Sequence, residues 1–302
     1  MSTVTTPVST PARHSPAGAL LRATRPRQWP KNLLVFGAPA AAGVLFQTEI
    51  FLTAVVAFWA FTLAAAGTYL INDAMDAAND RLHPVKRYRP VAAGIIPVGR
   101  AKVLGGTAMA LSLVPAIAIG RPRFVLALVT YIALTISYSV WLKQIAMVDV
   151  VAVALGFAVR AVAGGLAAGV PLSRWFVLVA FFGALFLVAG KRYGEHRQLG
   201  EAVGAHRPAS AGSAAFYHQH VMTLSSGVTM VGYGLWAYQH GLPSQAWFLG
   251  SFLFLVMVLL RFSLLVHEGA SDDPVAIVWN DRPLRILVVL WIALVLAGVE
   301  LG

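Results

Sequence analysis

The sequence predicts an all-α membrane protein, a polytopic bundle of transmembrane helices. Hydrophobic residues make up 58% of the 302 residues and charged residues only 12%, and the mean hydropathy is +0.73, well outside the range of soluble domains. Several apolar runs reach about twenty residues, the length that crosses roughly 30 Å of hydrocarbon. The chain has no cysteine, which excludes disulfides, thiol catalysis and cysteine metal sites.

Nine apolar segments are predicted to span the membrane. They cover residues 33–45, 51–71, 102–119, 124–141, 148–170, 175–190, 214–238, 246–265 and 284–301. The first is short and contains Pro39, which predicts a tilted or kinked segment. Residues 1–20 are rich in Ser, Thr, Pro and Arg, so a disordered cytoplasmic tail is predicted there, followed by a single transmembrane domain over residues 21–302.

Basic residues are concentrated in alternate connections between the predicted spans. Of the 23 Lys and Arg residues, 19 lie in the N-terminal tail or in the second, fourth, sixth and eighth connections. This positive-inside pattern predicts a cytoplasmic N-terminus. The net charge of +11 is spread over loops instead of one soluble module, which argues against a nucleic-acid partner and indicates membrane lipids as neighbours.

An acidic motif, NDAMDAAND, directly follows the second predicted span at residues 72–80. On a helix, Asp73, Asp76 and Asp80 share one stripe, with Asn72 one turn before Asp76. Like charges stacked this closely destabilise a helix unless a cation lies among them. Oxygen ligands of this kind suit Mg²⁺, which shares its coordination shell with substrate phosphates. The motif therefore predicts Mg²⁺ held by these four residues, with the three aspartates as catalytic residues; a solvated acidic loop is the alternative.

A basic motif closes the sixth predicted span, GKRYGEHRQLGE at residues 190–201. Lys191 and Arg192 precede Glu195 by four and three positions, so all three can share a helical face. Arg offers a bidentate fork to phosphate and Lys a point charge. A positive-inside anchor at a span end is the alternative interpretation.

Weaker candidates flank the fourth and fifth predicted spans. Tyr138 and Lys143 lie in SYSVWLKQ, and Asp149 precedes an intramembrane Arg160 by eleven positions, about three helical turns. Arg160 must face a polar cavity or be paired, so a structural ion pair and a substrate contact both remain open. RPRQWPKN, at residues 25–32, adds Lys31 at the predicted cytoplasmic side.

These motifs together resemble the UbiA superfamily of intramembrane prenyltransferases. RPRQWPKN precedes the first span, NDxxDxxxD follows the second and YxxxxK follows the fourth. The resemblance covers essentially the whole chain. It implies a helical bundle with a lipid-facing cavity, in which two Asp-rich loops hold a Mg²⁺-diphosphate substrate. This sequence departs from the family where a second DxxxD is expected, because it has KRYGE there.

The departure resembles the phosphoribosyltransferase branch of the superfamily, found in mycobacteria and their relatives. That branch implies 5-phosphoribosyl 1-diphosphate (PRPP) as donor, decaprenyl (polyprenyl) phosphate as acceptor and a role in cell-wall arabinan synthesis. Basic residues in place of a second acidic loop suit such a pair of anionic substrates. The predicted substrate-binding residues are Lys31, Asn72, Lys86, Arg87, Arg89, Tyr138, Lys143, Arg160, Lys191, Arg192 and Glu195.

Three other functions are weighed against this one. A prenyltransferase acting on an aromatic acceptor has the same fold but should carry the second acidic pair. An ion-coupled transporter should show inverted repeats and acids at the midplane of the membrane. A scaffold protein has no need of acidic and basic clusters on one membrane face. The expected location is the bacterial inner membrane, with the site facing the cytoplasm, and a homo-oligomer is compatible with the sequence.

Overall fold

The apolar segments of the sequence form long helices. A computed structural model of the chain describes residues 16–145, 147–202, 208–239, 244–270 and 273–301, and among these it contains helices and no β-strand. The α-helices are α1 (Pro16–Ala23), α2 (Gly37–Ala41), α3 (Thr48–Leu82), α4 (Val98–Ala118), α5 (Pro122–Val140), α6 (Val148–Ala168), α7 (Arg174–Ala202), α8 (Pro208–Tyr238), α9 (Ser244–His267), α10 (Pro274–Asn280) and α11 (Arg282–Glu300). Three 3-10 segments cover Pro26–Phe36, Lys86–Tyr88 and Leu142–Gln144.

Seven of the described helices are long and apolar enough to cross a membrane. They are α3, α4, α5, α6, the Arg174–His196 part of α7, α9 and α11. Each coincides with one of the nine predicted spans. The predicted span at 214–238 lies within α8, which is 31 residues long. The all-helical membrane architecture is therefore confirmed, and nine remains a predicted number of spans.

The predicted first span is not one helix. Residues 26–36 form a 3-10 segment, and only the short α2 follows it. Pro26 and Pro30 lie in the 3-10 segment, and proline lacks the N–H group that an α-helix needs in its interior. The segment lies directly on α6, because a Cβ atom on Gly164 would be 1.8 Å from the carbonyl oxygen of Val35. This contact holds Lys31 and Asn32 against the bundle.

Helix α3 carries the acidic motif as its last turns. Its 35 residues correspond to about 52 Å of helix, so one continuous helix contains both the predicted second span and NDAMDAAND. Small residues let α4 approach closely: a Cβ atom on Gly67 would lie 2.6 Å from the carbonyl oxygen of Gly105. The helix ends at His83, whose backbone is extended.

Three clusters of buried side chains form the core between the described helices. One surrounds Phe61, Phe124 and Tyr131 between α3, α5 and α6. A second surrounds Phe186 and Phe262 between α7 and α9, and α6 contributes residues to both clusters. A third, smaller cluster packs residues 91–101 and α1 against the last turns of α3.

The predicted N-terminal tail falls partly outside the described residues. Residues 1–15 are not described, whereas 16–20 were predicted as part of the tail and form the first half of α1. Ala19 and Ala23 are buried, and Ala23 belongs to the cluster under α3. The packing of these small apolar residues explains why helical structure begins before residue 21.

Candidate active site

The charged motifs of the sequence meet at one end of the bundle. The last turns of α3, the connection from α5 to α6, the end of α7 and the 3-10 segment Pro26–Phe36 all contribute side chains there. Contacts between residues far apart in the sequence join them: Lys143 reaches Asp76, Arg192 reaches Tyr138 and Arg25 reaches Asp73. The acidic motif, the basic motif and RPRQWPKN therefore lie together at one end of the bundle.

Two of the three aspartates are buried and engaged by arginines. The side chains of Asp73 and Asp80 are only 2% and 6% exposed. Arg89 bridges them, with Nη1 3.3 Å from Oδ1 of Asp73 and 2.8 Å from Oδ2 of Asp80. Arg25 makes a second ion pair with Asp73. These carboxylates tie the N-terminal segment and the α3–α4 connection to α3.

Arg25 adopts a backbone conformation that is unfavourable for its residue type. Its φ is 53° and its ψ 65°, in the left-handed region, which costs a non-glycine residue about 1–3 kcal/mol. The ion pair with Asp73 and the stacking of its guanidinium 4.7 Å from the centroid of the Tyr69 ring offset this cost. The strained turn directs the 3-10 segment onto α6.

The third aspartate faces a different partner and is more open. Asp76 is 26% exposed, and its Oδ1 accepts a hydrogen bond of 2.7 Å from Nζ of Lys143. Asn72 is partly buried and lies one turn earlier on α3. That all three aspartates share one cation stays a prediction. In this arrangement Asp73 and Asp80 contact Arg89, whereas Asp76 contacts Lys143 in the α5–α6 connection.

The donor set fits a Mg²⁺ ion that shares its shell with a substrate. In the part of the chain that the structure describes, no three His, Asp or Glu side chains gather closely enough to enclose a metal. Mg²⁺ is commonly held by one or two carboxylates together with waters and substrate phosphates. Asp76 and Asn72 offer one carboxylate and one amide oxygen on the open side of α3, which meets that requirement.

Two predicted substrate-binding residues lie away from the acidic motif. Lys86 and Arg87 are exposed on the 3-10 turn Lys86–Tyr88. Arg87 donates a hydrogen bond of 2.7 Å to the hydroxyl of Tyr88 and stacks on its ring. Neither contacts the aspartates in this structure, because the turn directs them to solvent and only Arg89 inward.

The basic motif on α7 forms an ion network instead of a free phosphate fork. The three side chains share a helical face as predicted. Oε1 of Glu195 lies 3.6 Å from Nζ of Lys191, and its Oε2 lies 2.8 Å from Nη1 of Arg192. Arg192 also donates a hydrogen bond of 3.1 Å to the Tyr138 hydroxyl and lies 3.4 Å from Asp149. Arg192 thereby joins α5, α6 and α7 at the site.

Arg192→Lys should lower kcat/KM roughly tenfold. One ammonium group cannot contact Glu195, Asp149 and Tyr138 together. Each charge-assisted hydrogen bond that is lost is worth about 1.5–3 kcal/mol. Steady-state kinetics on correctly inserted protein measure the effect. Arg100→Lys, at an exposed position in the first turn of α4, serves as control. Wild-type kinetics for Arg192→Lys would show that this arginine is only a positive-inside anchor.

Arg160 lies in the interior and has no acidic partner among the described residues. Its Nε donates to Oδ1 of Asn32 at 2.8 Å, its Nη2 to the Tyr131 hydroxyl at 2.6 Å, and its Nη1 to the carbonyl oxygen of Gly156 at 3.0 Å. The expectation of a shared face with Asp149 is not met by a contact, because Asp149 pairs with Arg192. Arg160 is satisfied by neutral acceptors, and its charge remains uncompensated.

Lys31 lies beside this network, before the first of the seven spanning helices. Burial lowers the pKa of Lys31 to about 8, and the positive charges of Lys191, Arg160 and Arg25 add to the effect, whereas Asp273 opposes it. Its Nζ is 5.7 Å from the centroid of the Phe157 ring. Three cations therefore act on one lysine from three different segments.

Sequence reasoning missed several residues that shape the site. Arg25 lies in RPRQWPKN, but nothing in that motif shows that it reaches an aspartate 48 positions away. Tyr131 lies in an apolar stretch of α5, and nothing in the sequence indicates that its hydroxyl accepts a hydrogen bond from Arg160. Asp273, which caps α10 by accepting from the Val275 N–H at 3.2 Å, was not associated with the site.

Comparisons with known proteins agree with the resemblance seen in the motifs. The UbiA prenyltransferase family matches residues 33–280. A decaprenyl-phosphate phosphoribosyltransferase of Mycobacterium tuberculosis is 39% identical over 300 residues, which are 98% of each chain. One of Corynebacterium glutamicum is 35% identical, covering 94% of this chain and 87% of its own.

Solved structures show the same fold. A UbiA homolog from Archaeoglobus fulgidus, bound to DMAPP and Mg²⁺, superimposes with a TM-score of 0.71 at 20% identity, covering 94% of this chain and 100% of its own. A second structure, described as a digeranylgeranylglyceryl phosphate synthase, gives a TM-score of 0.63 at 14% identity. At these identities the likeness concerns the fold alone.

Proposed function

The chain belongs to the UbiA prenyltransferase family, and from this we propose that it transfers the 5-phosphoribosyl group of PRPP to decaprenyl or another polyprenyl phosphate. Diphosphate is released, and the lipid product would serve cell-wall arabinan synthesis. The main support is the 39% identity over 98% of the chain to a relative described as a decaprenyl-phosphate phosphoribosyltransferase.

The distribution of charge at the site supports the same proposal. Within the acidic motif, Asp76 and Asn72 are not engaged by the arginines that hold Asp73 and Asp80, and one carboxylate with one amide oxygen is enough for one Mg²⁺ on one diphosphate. The second loop carries Lys191 and Arg192, and its Glu195 is already engaged by both. A site with one metal-binding face and an excess of cations suits a diphosphate donor together with additional phosphate groups.

The reaction balances without a general base. An oxygen of the lipid phosphate attacks C1 of the ribose, the C1–O bond to the diphosphate breaks, and the electron pair leaves with the diphosphate. A bound Mg²⁺ would neutralise charge on the departing group. The acceptor oxygen is already ionised, so no side chain has to remove a proton. Lys143 lies at Asp76, where its ammonium can bind a diphosphate oxygen.

The membrane setting completes the proposal. The acidic motif and the basic motif border the predicted connections that carry most of the basic residues, which supports a cytoplasmic site and a cytoplasmic N-terminus. We place the protein in the inner membrane with nine spans, α8 and the segment of residues 33–45 being counted with the seven described helices. A soluble donor would then reach the site from the cytoplasm and the lipid from the bilayer.

Donor identity is tested by isotope transfer. Purified protein incubated with ribose-labelled PRPP, Mg²⁺ and a polyprenyl phosphate should move label into a lipid-extractable product, and EDTA should stop the transfer. The A. fulgidus homolog was solved with DMAPP, so a prenyl diphosphate with an aromatic acceptor is the second candidate pair. Label that moves only from the prenyl diphosphate would establish the aromatic prenyltransferase function.

A further inference from the structure

Two cations of the site have no carboxylate partner among the described residues. Arg25 and Arg89 pair with Asp73, Lys143 pairs with Asp76, and Lys191 and Arg192 pair with Glu195. In contrast, Lys31 and Arg160 make no ion pair with any described residue. An uncompensated cation removed from water costs several kcal/mol. The positive charges of Lys31 on the 3-10 segment and of Arg160 on α6 are therefore not balanced by an ion pair with a described residue.

The two unpaired cations are neighbours. The Nζ atom of Lys31 and the Cζ atom of Arg160 lie 5.7 and 5.6 Å from the centroid of the same Phe157 ring. Arg160 is also hydrogen-bonded to Asn32, the residue after Lys31. Asn32 in turn donates a hydrogen bond of 3.0 Å to the Thr62 hydroxyl. This network fixes the backbone at Lys31 and leaves its ammonium group free to bind a ligand.

Exposed apolar side chains follow Lys31 directly in the chain. Leu33 and Leu34 follow it immediately and are 55% and 38% exposed. Within four residues the 3-10 segment changes from a buried polar network to an exposed apolar surface. A ligand bound at Lys31 can therefore keep a charged group at the site and an apolar chain in the bilayer.

We propose that Lys31 binds the phosphate monoester of the polyprenyl acceptor, with Arg160 as a positioning residue that holds Lys31 in place and adds its positive charge. This inference rests on the proposed function and assigns the two substrates to separate positions. Asp76, Asn72 and Lys143 face the diphosphate of the donor, and Lys31 faces the acceptor. The 5-phosphate of PRPP is also a phosphate monoester, but a fully soluble donor gains nothing from the exposed Leu33 and Leu34.

The test separates the two substrates by variant. In detergent solution, with farnesyl phosphate as a short acceptor, Lys31→Ala should raise the KM for farnesyl phosphate roughly ten- to a hundredfold. The KM for PRPP should change less than threefold. Lys31→Arg keeps the charge and should raise the KM for farnesyl phosphate less than Lys31→Ala does. Lys102→Ala, an exposed lysine at the start of α4, is the matched control and should leave both constants unchanged.

Direct binding gives a second measurement that does not need turnover. In the absence of PRPP and Mg²⁺, the wild-type protein and Asp76→Ala should bind farnesyl phosphate equally, whereas Lys31→Ala should bind it at least tenfold more weakly. If the wild-type protein transfers nothing from PRPP but shows this binding pattern, the proposed function is wrong and the acceptor site stands. A rise in the KM for PRPP, with unchanged farnesyl phosphate binding, would overturn the inference.

The pH dependence provides an independent check. A lysine with a pKa of about 8 loses its charge as the pH rises from 7 to 9, whereas a lipid phosphate, with a second pKa near 6, stays dianionic. The charged groups facing Lys31 are Lys191, Asp273, Arg160 and Arg25. The KM for farnesyl phosphate should therefore rise above pH 8 in the wild type and stay flat in Lys31→Arg. A flat wild-type profile would contradict the role of Lys31.

Discussion

Asp76→Ala should abolish phosphoribosyl transfer, with kcat reduced by roughly 10³-fold or more. Asp76 is the most exposed aspartate of the acidic motif, at 26%, and pairs with Lys143 instead of an arginine. A metal contact made by such a carboxylate is worth several kcal/mol of transition-state stabilisation. The measurement is transfer of label from PRPP at saturating substrates over a range of Mg²⁺ concentrations. A fully active Asp76→Ala enzyme, or full turnover in EDTA, would contradict the assignment of the metal.

The other two aspartates of the motif serve as internal controls for this prediction. The sequence alone assigned all three to the metal, whereas the structure pairs Asp73 and Asp80 with arginines. Asp80→Asn should therefore change the Mg²⁺ concentration at half-maximal rate less than Asp76→Asn does, and it should lower thermal stability more. Equal shifts in Mg²⁺ dependence for the two amides would restore the interpretation in which all three carboxylates bind metal.

The helical positions of the site could be predicted because they depend on local spacing. Offsets of three, four and seven residues fix which side chains share a face of α3 or α7, whatever the rest of the chain does. Hydropathy likewise located the seven spanning helices, since a span needs about twenty apolar residues. The segment before α3 could not be predicted this way, because its prolines and its docking on Gly164 favour a 3-10 conformation.

The partners of the charged residues could not be predicted, because they come from distant parts of the chain. Lys143 is 67 positions from Asp76, and Arg160 is 128 positions from Asn32. Sequence spacing says nothing about such contacts. Composition nevertheless indicated their existence, since charges at the end of a membrane span must be paired or face a polar cavity. Only the structure shows that Lys143 and Arg192 pair with carboxylates, whereas Lys31 and Arg160 form no ion pair with a described residue.

Arg89→Ala should destabilise the protein by about 3 kcal/mol, equivalent to a fall in the thermal unfolding midpoint of roughly 5 °C or more. The physical reason is that Arg89 bridges two buried carboxylates. Its Nη1 lies 3.3 Å from Oδ1 of Asp73 and 2.8 Å from Oδ2 of Asp80. Without it, Asp80 keeps no ion-pair partner among the described residues and lies two helical turns from the carboxylate of Asp73 on α3. The midpoint is measured on detergent-solubilised protein without PRPP or Mg²⁺.

A second substitution identifies the cause of this loss. If the destabilisation comes from the stranded carboxylate, Arg89→Ala combined with Asp80→Asn should recover at least half of it, because the neutral amide is cheaper to bury than the charge. Arg100→Ala removes an exposed arginine close in sequence and should leave the midpoint unchanged. Should Arg89→Ala unfold at the same temperature as Arg100→Ala, the carboxylates are screened by solvent, and Arg89 does not hold the α3–α4 connection against α3.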